Sequence, residues 1–132
     1  MLEFWLAESD EDKVVSAILQ VEVRSAICRL RKEKRMTHDE ASFALASLVA
    51  EISGLTQQMI NPQVLEAANE VIDRHSLRAL DALQLGSAIV ARDLLKSPEM
   101  QFIASDHALL AAAEAEGLIV WNPATSNNPG KP

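Results

Sequence analysis

Three acidic residues of this chain have mainly apolar neighbours, and they are the residues best suited to chemistry. Glu22 borders an apolar helical stripe, Asp81 lies in the almost wholly apolar segment 80–91, and Asp106 follows the apolar run 102–104. Burying a lone carboxylate is costly unless a partner stabilises its charge. If the three converge, they can hold a hard divalent cation such as Mg²⁺, which activates water and stabilises the charge developing on a phosphodiester.

Each of these acids also has a purely structural interpretation. Glu22 is suited to a salt bridge with Arg29 at the edge of the core. Asp81 suits the first turn of a helix, where the helix dipole favours negative charge. Asp106 suits an ordinary helix N-cap, a position at which Asp is preferred. Spacing in the sequence leaves both interpretations open.

The helices and strands that position these acids are predicted from apolar spacing and from helix start and stop signals. The short apolar run at 13–16 predicts a buried strand, and helical spacing predicts that Glu22 lies on a helix over 18–35. A capping box that begins at Thr37 predicts a helix over 38–53. Further helices are predicted at 62–75, from 77–79 to 95 and at 107–116, further strands at 58–61, 101–104 and 118–121, and a short helix, or the end of one, at 2–8.

The order of these elements predicts the fold class. Strands alternate with helices, which indicates an α/β fold with a parallel sheet covered by helices on both faces. Ligands of such sheets bind at the carboxyl ends of the strands.

Composition restricts the possible functions. The 132 residues fit one domain, and a net charge of -7 argues against a general nucleic-acid coat protein, which is usually basic. No glycine-rich phosphate loop is present, which argues against nucleoside triphosphate binding. A single cysteine, the lack of a signal peptide and the lack of a membrane-spanning apolar run together predict a reducing, cytoplasmic setting. That cysteine, Cys28, is expected to be a small core residue.

Basic residues are concentrated between Arg29 and Arg35, at the end of the helix that carries Glu22. The simplest interpretation is a solvated helix end whose positive charge suits the helix dipole. The sharper interpretation is a strip that contacts phosphates beside an RNA cleft.

Three stretches, 14–27, 75–88 and 102–109, together resemble the PIN-domain family, and specifically the VapC-like toxin ribonucleases. The first resembles the family's strand, turn and Glu-bearing helix, the second its helix with a central Asp, and the third its last strand and acid. The segment Leu-x-x-x-Asp-Ala-Leu that contains Asp81 is the most specific part, and the likeness extends to about Pro123.

The resemblance implies a three-layer PIN-like fold in which Glu22, Asp81 and Asp106 are three of the four metal-site acids. It implies endoribonuclease activity that depends on Mg²⁺ or Mn²⁺, in the toxin of a type II toxin–antitoxin pair. The implied partners are an RNA substrate, a cognate antitoxin protein and a second copy of the chain, with no membrane partner.

The chain departs from the family pattern at its start. Family members open with a central strand that ends in Asp, and neither Asp10 nor Asp12 is a good replacement for that acid. We therefore expect residues 1–123 to be a truncated PIN-like domain without its first, central strand, followed by a disordered tail at 124–132. Such a chain should be poorly stable as a monomer and weakly active or inactive.

Three functions therefore remain open from the sequence. The first is the ribonuclease, and the second is a non-catalytic remnant that binds an antitoxin or dimerises. The third is an unrelated α-rich interaction domain whose acids are caps and salt bridges. A smaller departure is Ala104, which stands where the family often has Thr or Ser, and Ser105 is the candidate substitute.

Overall fold

A computed structural model describes residues 4–6 and 13–125, and these residues form an α/β fold of helices and short strands. The strands are β1 (Phe4–Leu6), β2 (Lys13–Ser16), β3 (Thr56–Gln58), β4 (Gln101–Ile103) and β5 (Ile119–Trp121). The helices are α1 (Leu19–Lys32), α2 (His38–Ser53), α3 (Pro62–His75), α4 (Ala79–Leu95) and α5 (His107–Ala115). The predicted α/β class is confirmed.

The five strands form one mixed sheet in the order β3-β2-β1-β4-β5. β2 is parallel to β3 and β4 is parallel to β5, whereas β1 is antiparallel to both of its neighbours. The prediction of a wholly parallel sheet is therefore wrong at its central strand. Because β2 and β4 both run against β1, they point in the same direction and end at the same edge of the sheet.

The start of the chain differs most from expectation. The helix predicted at 2–8 is wrong, since Phe4–Leu6 is a strand, and the expected gap in the middle of the sheet is filled by it. Only residues 7–12 separate β1 from β2, whereas a parallel crossover needs a dozen residues or more, so the two strands can pair only as an antiparallel hairpin. Asp10 and Asp12, expected in a polar turn, lie outside the described residues.

Helices cover both faces of the sheet. Successive side chains of β2 point to opposite faces, and those on both faces are buried. Val14 packs into a cluster with residues of α3, α4, α5 and β4, and Val15 packs into a second cluster with residues of α1 and α2. Phe102 of β4 and Ala104, the residue after β4, also belong to the first cluster. The sheet therefore lies between two helical layers.

Local signals determine the ends of two helices. At α2, the Thr37 hydroxyl accepts from the backbone N–H of Glu40 at 3.1 Å, and the Glu40 carboxylate accepts from the backbone N–H of Thr37 at 2.8 Å. At α3, Asn61 caps the helix by accepting from the backbone N–H of Val64 at 2.9 Å. Both helices span the predicted residues because capping needs only neighbouring side chains.

Two further expectations concern single residues and the tail. Cys28 is exposed, so the expectation that it belongs to the core is wrong. Ala124 and Thr125 form a turn by donating their backbone N–H groups to Asn122, and the rest of the predicted tail, 126–132, lies outside the described residues. Within the described part of the chain, no helix has both the length and the apolar character needed to span a bilayer.

Candidate metal centre

The predicted acids lie at the edge of the sheet where β2 and β4 end. α1, which carries Glu22, begins three residues after β2, and Asp106 follows β4 at the start of α5. α4, which carries Asp81 in its first turn, packs over β2, and its Ser87 hydroxyl lies 3.2 Å from that of Ser16, the last residue of β2. The fold thus brings three elements that are distant in sequence to one edge.

Asp106 is the N-cap of α5. Its Oδ1 accepts a hydrogen bond from the backbone N–H of Leu109 at 2.9 Å, and the residue is exposed. The structural interpretation of this acid as an N-cap is therefore confirmed. Capping occupies one carboxylate oxygen and does not prevent the other from binding a ligand. Just before it, the buried Ser105 Oγ has no hydrogen-bond partner within the described residues.

Glu22 does not form the salt bridge that the sequence suggested. Its carboxylate accepts a hydrogen bond from Nε2 of Gln84 on α4, and no ion pair with Arg29 is found among the described residues. Burial raises the pKa of Glu22 above its ordinary value, the hydrogen bond from Gln84 lowers it, and the negative charge of Asp81 raises it. Glu22 therefore ionises against both desolvation and a like charge.

Asp81 occupies the third position of α4, where the helix dipole favours its charge, but it makes no capping hydrogen bond with the described residues. The N-cap of this helix is Arg78, and its side chain forms no cap hydrogen bond. Burial raises the pKa of Asp81, the charge of Asp106 raises it further, and the charge of Arg78 lowers it. Asp81 is thus not a side-chain cap of α4, and the charged neighbour that shifts its pKa most is another acid.

Electrostatic interactions link the three acids in a row, with Asp81 between the other two. The charge of Asp81 acts on Glu22, and the charge of Asp106 acts on Asp81. The row is not closed around one point, since in the described segments no three His, Cys, Asp or Glu side chains are grouped so that they could hold one metal ion. The structure therefore brings the predicted residues to the same edge of the sheet but does not arrange all three around a single metal position.

A buried polar layer beneath Glu22 was missed by the sequence reasoning. Gln84, Ser87 and Ser16 are almost completely buried, and the Ser87 hydroxyl lies 2.6 Å from the carbonyl oxygen of Leu83. The signal was present in the sequence, because Gln84 and Ser87 interrupt a helix that is otherwise apolar. A polar residue inside such a helix usually has a partner in the core.

A surface groove of about 300 Å³ follows one face of α1 and is lined by Ile18, Val21 and Glu22 in its first part. It passes Ser25 and Ala26 to Arg29, and Leu80 at the start of α4 forms its other side. Val21 and Leu80 are 70% and 54% exposed, so the groove has an apolar surface open to solvent. It therefore combines a carboxylate, an apolar surface and a guanidinium along about 10 Å of helix.

Comparisons of the chain with models of protein families, with curated proteins and with solved structures find no match.

Proposed function

We propose that this chain is a cytoplasmic PIN-type endoribonuclease of the VapC-like kind, the toxin of a type II toxin–antitoxin pair. The observation that carries the proposal is the row of Glu22, Asp81 and Asp106 at the edge where β2 and β4 end. The charge of Asp81 raises the pKa of Glu22 and the charge of Asp106 raises the pKa of Asp81, and such repulsion is destabilising unless a cation relieves it. Perturbed acids of this kind are more frequent at functional sites than elsewhere on a protein.

The donor chemistry of the row fits a hard divalent cation. Glu22 and Asp81 would hold Mg²⁺ or Mn²⁺ through carboxylate oxygens, and bound water would link the ion to Asp106 and complete its coordination. A cation bound there supplies a Lewis acid that lowers the pKa of bound water and stabilises negative charge on phosphate. A cation held by these acids would lie beside the open groove along α1.

The groove along α1 suits a strand of RNA better than a small metabolite. Arg29 lies at the far end from Glu22, and guanidinium groups bind phosphate oxygens through two parallel hydrogen bonds. The exposed side chains of Val21 and Leu80, which also line the groove, offer an apolar surface for a base. An RNA strand lying in the groove would thus place one phosphate at the acids and another at Arg29.

Asp81→Asn tests the function because it removes the central charge of the row. We expect this variant to bind Mn²⁺ at least about 10-fold more weakly. Losses of about 10- to 100-fold already follow when side chains that only support the metal ligands are replaced. Cleavage of labelled single-stranded RNA in Mn²⁺ should fall with it. Calorimetric titration with Mn²⁺ and gel analysis of the RNA products measure the two effects on the full chain.

Asp93→Asn is the matched control, because it removes the same charge from the exposed end of the same helix. It should leave both Mn²⁺ affinity and cleavage unchanged. The proposal fails if the wild-type chain neither binds Mn²⁺ nor cleaves RNA, or if Asp81→Asn behaves as the control does.

A second candidate is a non-catalytic protein that binds an antitoxin or a second copy of the chain. Exposed large apolar side chains favour it, and Phe43 on α2 is 76% exposed. Covering an aromatic side chain of this size with another protein surface is strongly favourable. The other exposed large apolar residues are Val21, Met59, Leu65, Leu80, Leu94, Leu95 and Ile119.

Sedimentation of the full chain distinguishes this second candidate. If α2 associates with another copy, the wild-type chain should sediment as a dimer, and Phe43→Ser should shift it toward monomer. Ser42→Ala is the control, since it changes an exposed neighbour without removing an apolar surface. A dimer without divalent-dependent cleavage favours the non-catalytic protein over the nuclease.

A further inference from the structure

Gln84 is a completely buried polar residue that points into the acid row. Its Nε2 donates to the carboxylate of Glu22, while its Oε1 is buried and has no hydrogen-bond partner within the described residues. A buried acceptor without a donor is costly, and a functional role or a bound water or ion is among the explanations for such a group. The unpartnered oxygen belongs to the same amide group that contacts Glu22, so it lies at the acids and not elsewhere in the core.

We infer that Gln84 supplies a neutral oxygen ligand to the divalent cation that Glu22 and Asp81 bind. The inference rests on the proposed function, and it adds a residue that carries no charge and lies outside the predicted acids. Amide carbonyl oxygens of Asn and Gln bind hard cations alongside carboxylates. Gln84 therefore extends the row of acids with a ligand from inside the core.

The Nε2 and Oε1 atoms of Gln84 explain how one side chain suits the site both without and with a bound cation. Without a cation, Nε2 faces the negatively charged Glu22 and Oε1 has no partner among the described residues. A half turn about the last side-chain bond exchanges the two atoms and turns Oε1 toward a cation beside Glu22. A glutamine is suited to this place because a third carboxylate, completely buried, would be costly before the cation binds.

Mn²⁺ titration of the full chain tests the inference with two substitutions at this position. Gln84→Met keeps the size and removes both amide atoms, and we expect it to weaken Mn²⁺ binding by about tenfold or more. Gln84→Glu keeps an oxygen ligand and removes the donor to Glu22, and we expect it to bind Mn²⁺ at least as tightly as the wild type.

The matched control is Gln101→Met. Gln101 is also buried with an Oε1 that has no partner in the described part of the chain, but it lies at the start of β4, on the opposite edge of the sheet from the acids. Its substitution should leave Mn²⁺ affinity unchanged. Circular dichroism melting curves without metal establish that each variant is folded before the titrations are compared.

The number of water molecules bound to the metal ion gives a further test. It would not change if Gln84 had only a structural role. Eu³⁺ luminescence lifetimes in H₂O and D₂O report how many waters the bound ion keeps. If Oε1 is a ligand, water replaces it in Gln84→Met, so this variant should keep more metal-bound water than the wild type or Gln101→Met.

The possible outcomes separate this inference from the function beneath it. If Glu22→Gln weakens Mn²⁺ binding but Gln84→Met does not, the metal site stands and Gln84 is not a ligand. If Gln84→Met and Gln84→Glu weaken binding equally, Gln84 acts only through its donor to Glu22, which overturns the inference. If the wild-type chain binds no Mn²⁺, the inference and the proposed function fail together.

Discussion

At the scale of single residues, Glu22 lies on a helix at the edge of the core, where its negative charge is disfavoured. Its ionised form is disfavoured by burial and by Asp81, and the hydrogen bond from Gln84 opposes them. A carboxyl group whose pKa is raised in the folded protein holds its proton more tightly there than in the unfolded chain. Its contribution to stability is therefore fully present in acid and is lost as the pH rises above the ordinary value of 4.5.

Glu22→Gln should stabilise the protein at neutral pH when no divalent cation is present. We expect a gain of about 0.5–1 kcal/mol in the free energy of unfolding, kept small because the carboxyl is partly exposed and solvent screens its charge. The gain should disappear as the pH falls below 4.5, where Glu22 is protonated in both states. Urea unfolding curves at several pH values measure it.

Glu66→Gln provides the comparison, since Glu66 is exposed on α3 and away from the acid row. This substitution should change stability little at any pH. A loss of stability in Glu22→Gln at neutral pH would contradict the account of Glu22, because it would mean that the ionised carboxylate stabilises the fold.

At the scale of elements, the close contact between α3 and α4 holds the buried part of the site in position. Gly86 lies in α4 two residues after Gln84 and faces the backbone of α3. A Cβ atom added to Gly86 would lie 2.9 Å from the backbone nitrogen of Ala68 and 3.0 Å from the carbonyl oxygen of Val64. Both neighbours are backbone atoms, so the contact cannot be relieved by rotating a side chain.

Gly86→Ala should therefore destabilise the protein even though Ala favours helices. We expect a loss of about 1–3 kcal/mol in the free energy of unfolding, the usual cost of inserting atoms into a packed core. Thermal and urea unfolding measure the loss. Any Mn²⁺ affinity of the folded variant should also fall, because α4 must shift away from α3 and carries Gln84 and Asp81.

Gly54→Ala makes the same chemical change at an open position. The added Cβ would meet only the carbonyl oxygen of Glu51 at 3.5 Å, and the φ of Gly54, -84°, is one that Ala adopts readily. This variant should be as stable as the wild type or slightly more stable. If the two variants lose equal stability, close packing is not what requires glycine at Gly86.

At the scale of the whole molecule, an ion-pair cluster joins the C-terminal ends of α3 and α5. Glu116, which follows α5, accepts two hydrogen bonds of 2.8 Å from the Arg74 guanidinium, and Nε2 of His75 lies 2.7 Å from its Oε2. Arg74 lowers the pKa of Glu116 below its ordinary value, burial opposes this, and His75 adds to the lowering. The ionised form of Glu116 therefore stabilises the fold.

Glu116→Gln should destabilise the protein by about 1 kcal/mol at neutral pH, since solvent screens part of this interaction. Because the pKa of Glu116 is lowered, its contribution is present above 4.5 and is lost as the pH falls through the lowered value. The difference between variant and wild type should therefore vanish in acid. Unfolding curves measured between neutral and acidic pH test this, with Glu114→Gln as the exposed control on α5.

The distribution of charge over the molecule would decide how RNA, the proposed substrate, approaches it. The chain carries a net charge of -7, so any attraction for RNA must come from a local basic strip. Such a strip lies at and just after the end of α1, where the groove from Glu22 leads. Its exposed residues are Arg29, Arg31, Lys32, Lys34 and Arg35.

Replacing Arg31, Lys32, Lys34 and Arg35 together with Gln should weaken RNA binding. The slope of log affinity against log salt should also become shallower, by about 0.7 for each RNA phosphate that the strip no longer neutralises. Fluorescence anisotropy with single-stranded RNA over a range of salt concentrations measures both. Lys96→Gln, an exposed lysine after α4, is the control, and unchanged binding in the fourfold variant would make the strip a solvated helix end only.

Local interactions were predictable because their causes lie within a few residues of one another. The bounds of α2 and α3 follow from the caps at Thr37 and Asn61, and β2 follows from its short apolar run. The exposed acid Asp106 was recognisable both as a cap and as a site candidate for the same reason, its place between a strand and a helix. The edge strand predicted at 58–61 is instead β3 at Thr56–Gln58. Its own residues did not predict this position, because it depends on the register of pairing with β2.

By itself, the sequence determined the existence of the helices α1 to α5 and which acids stand near apolar residues, because both depend on neighbours along the chain. Only the tertiary structure decided that Phe4–Leu6 becomes a central strand and that it runs antiparallel. It also decided that Glu22 meets Gln84 instead of Arg29. These outcomes depend on pairing between distant segments, where competition for backbone hydrogen bonds and buried volume outweighs local preference.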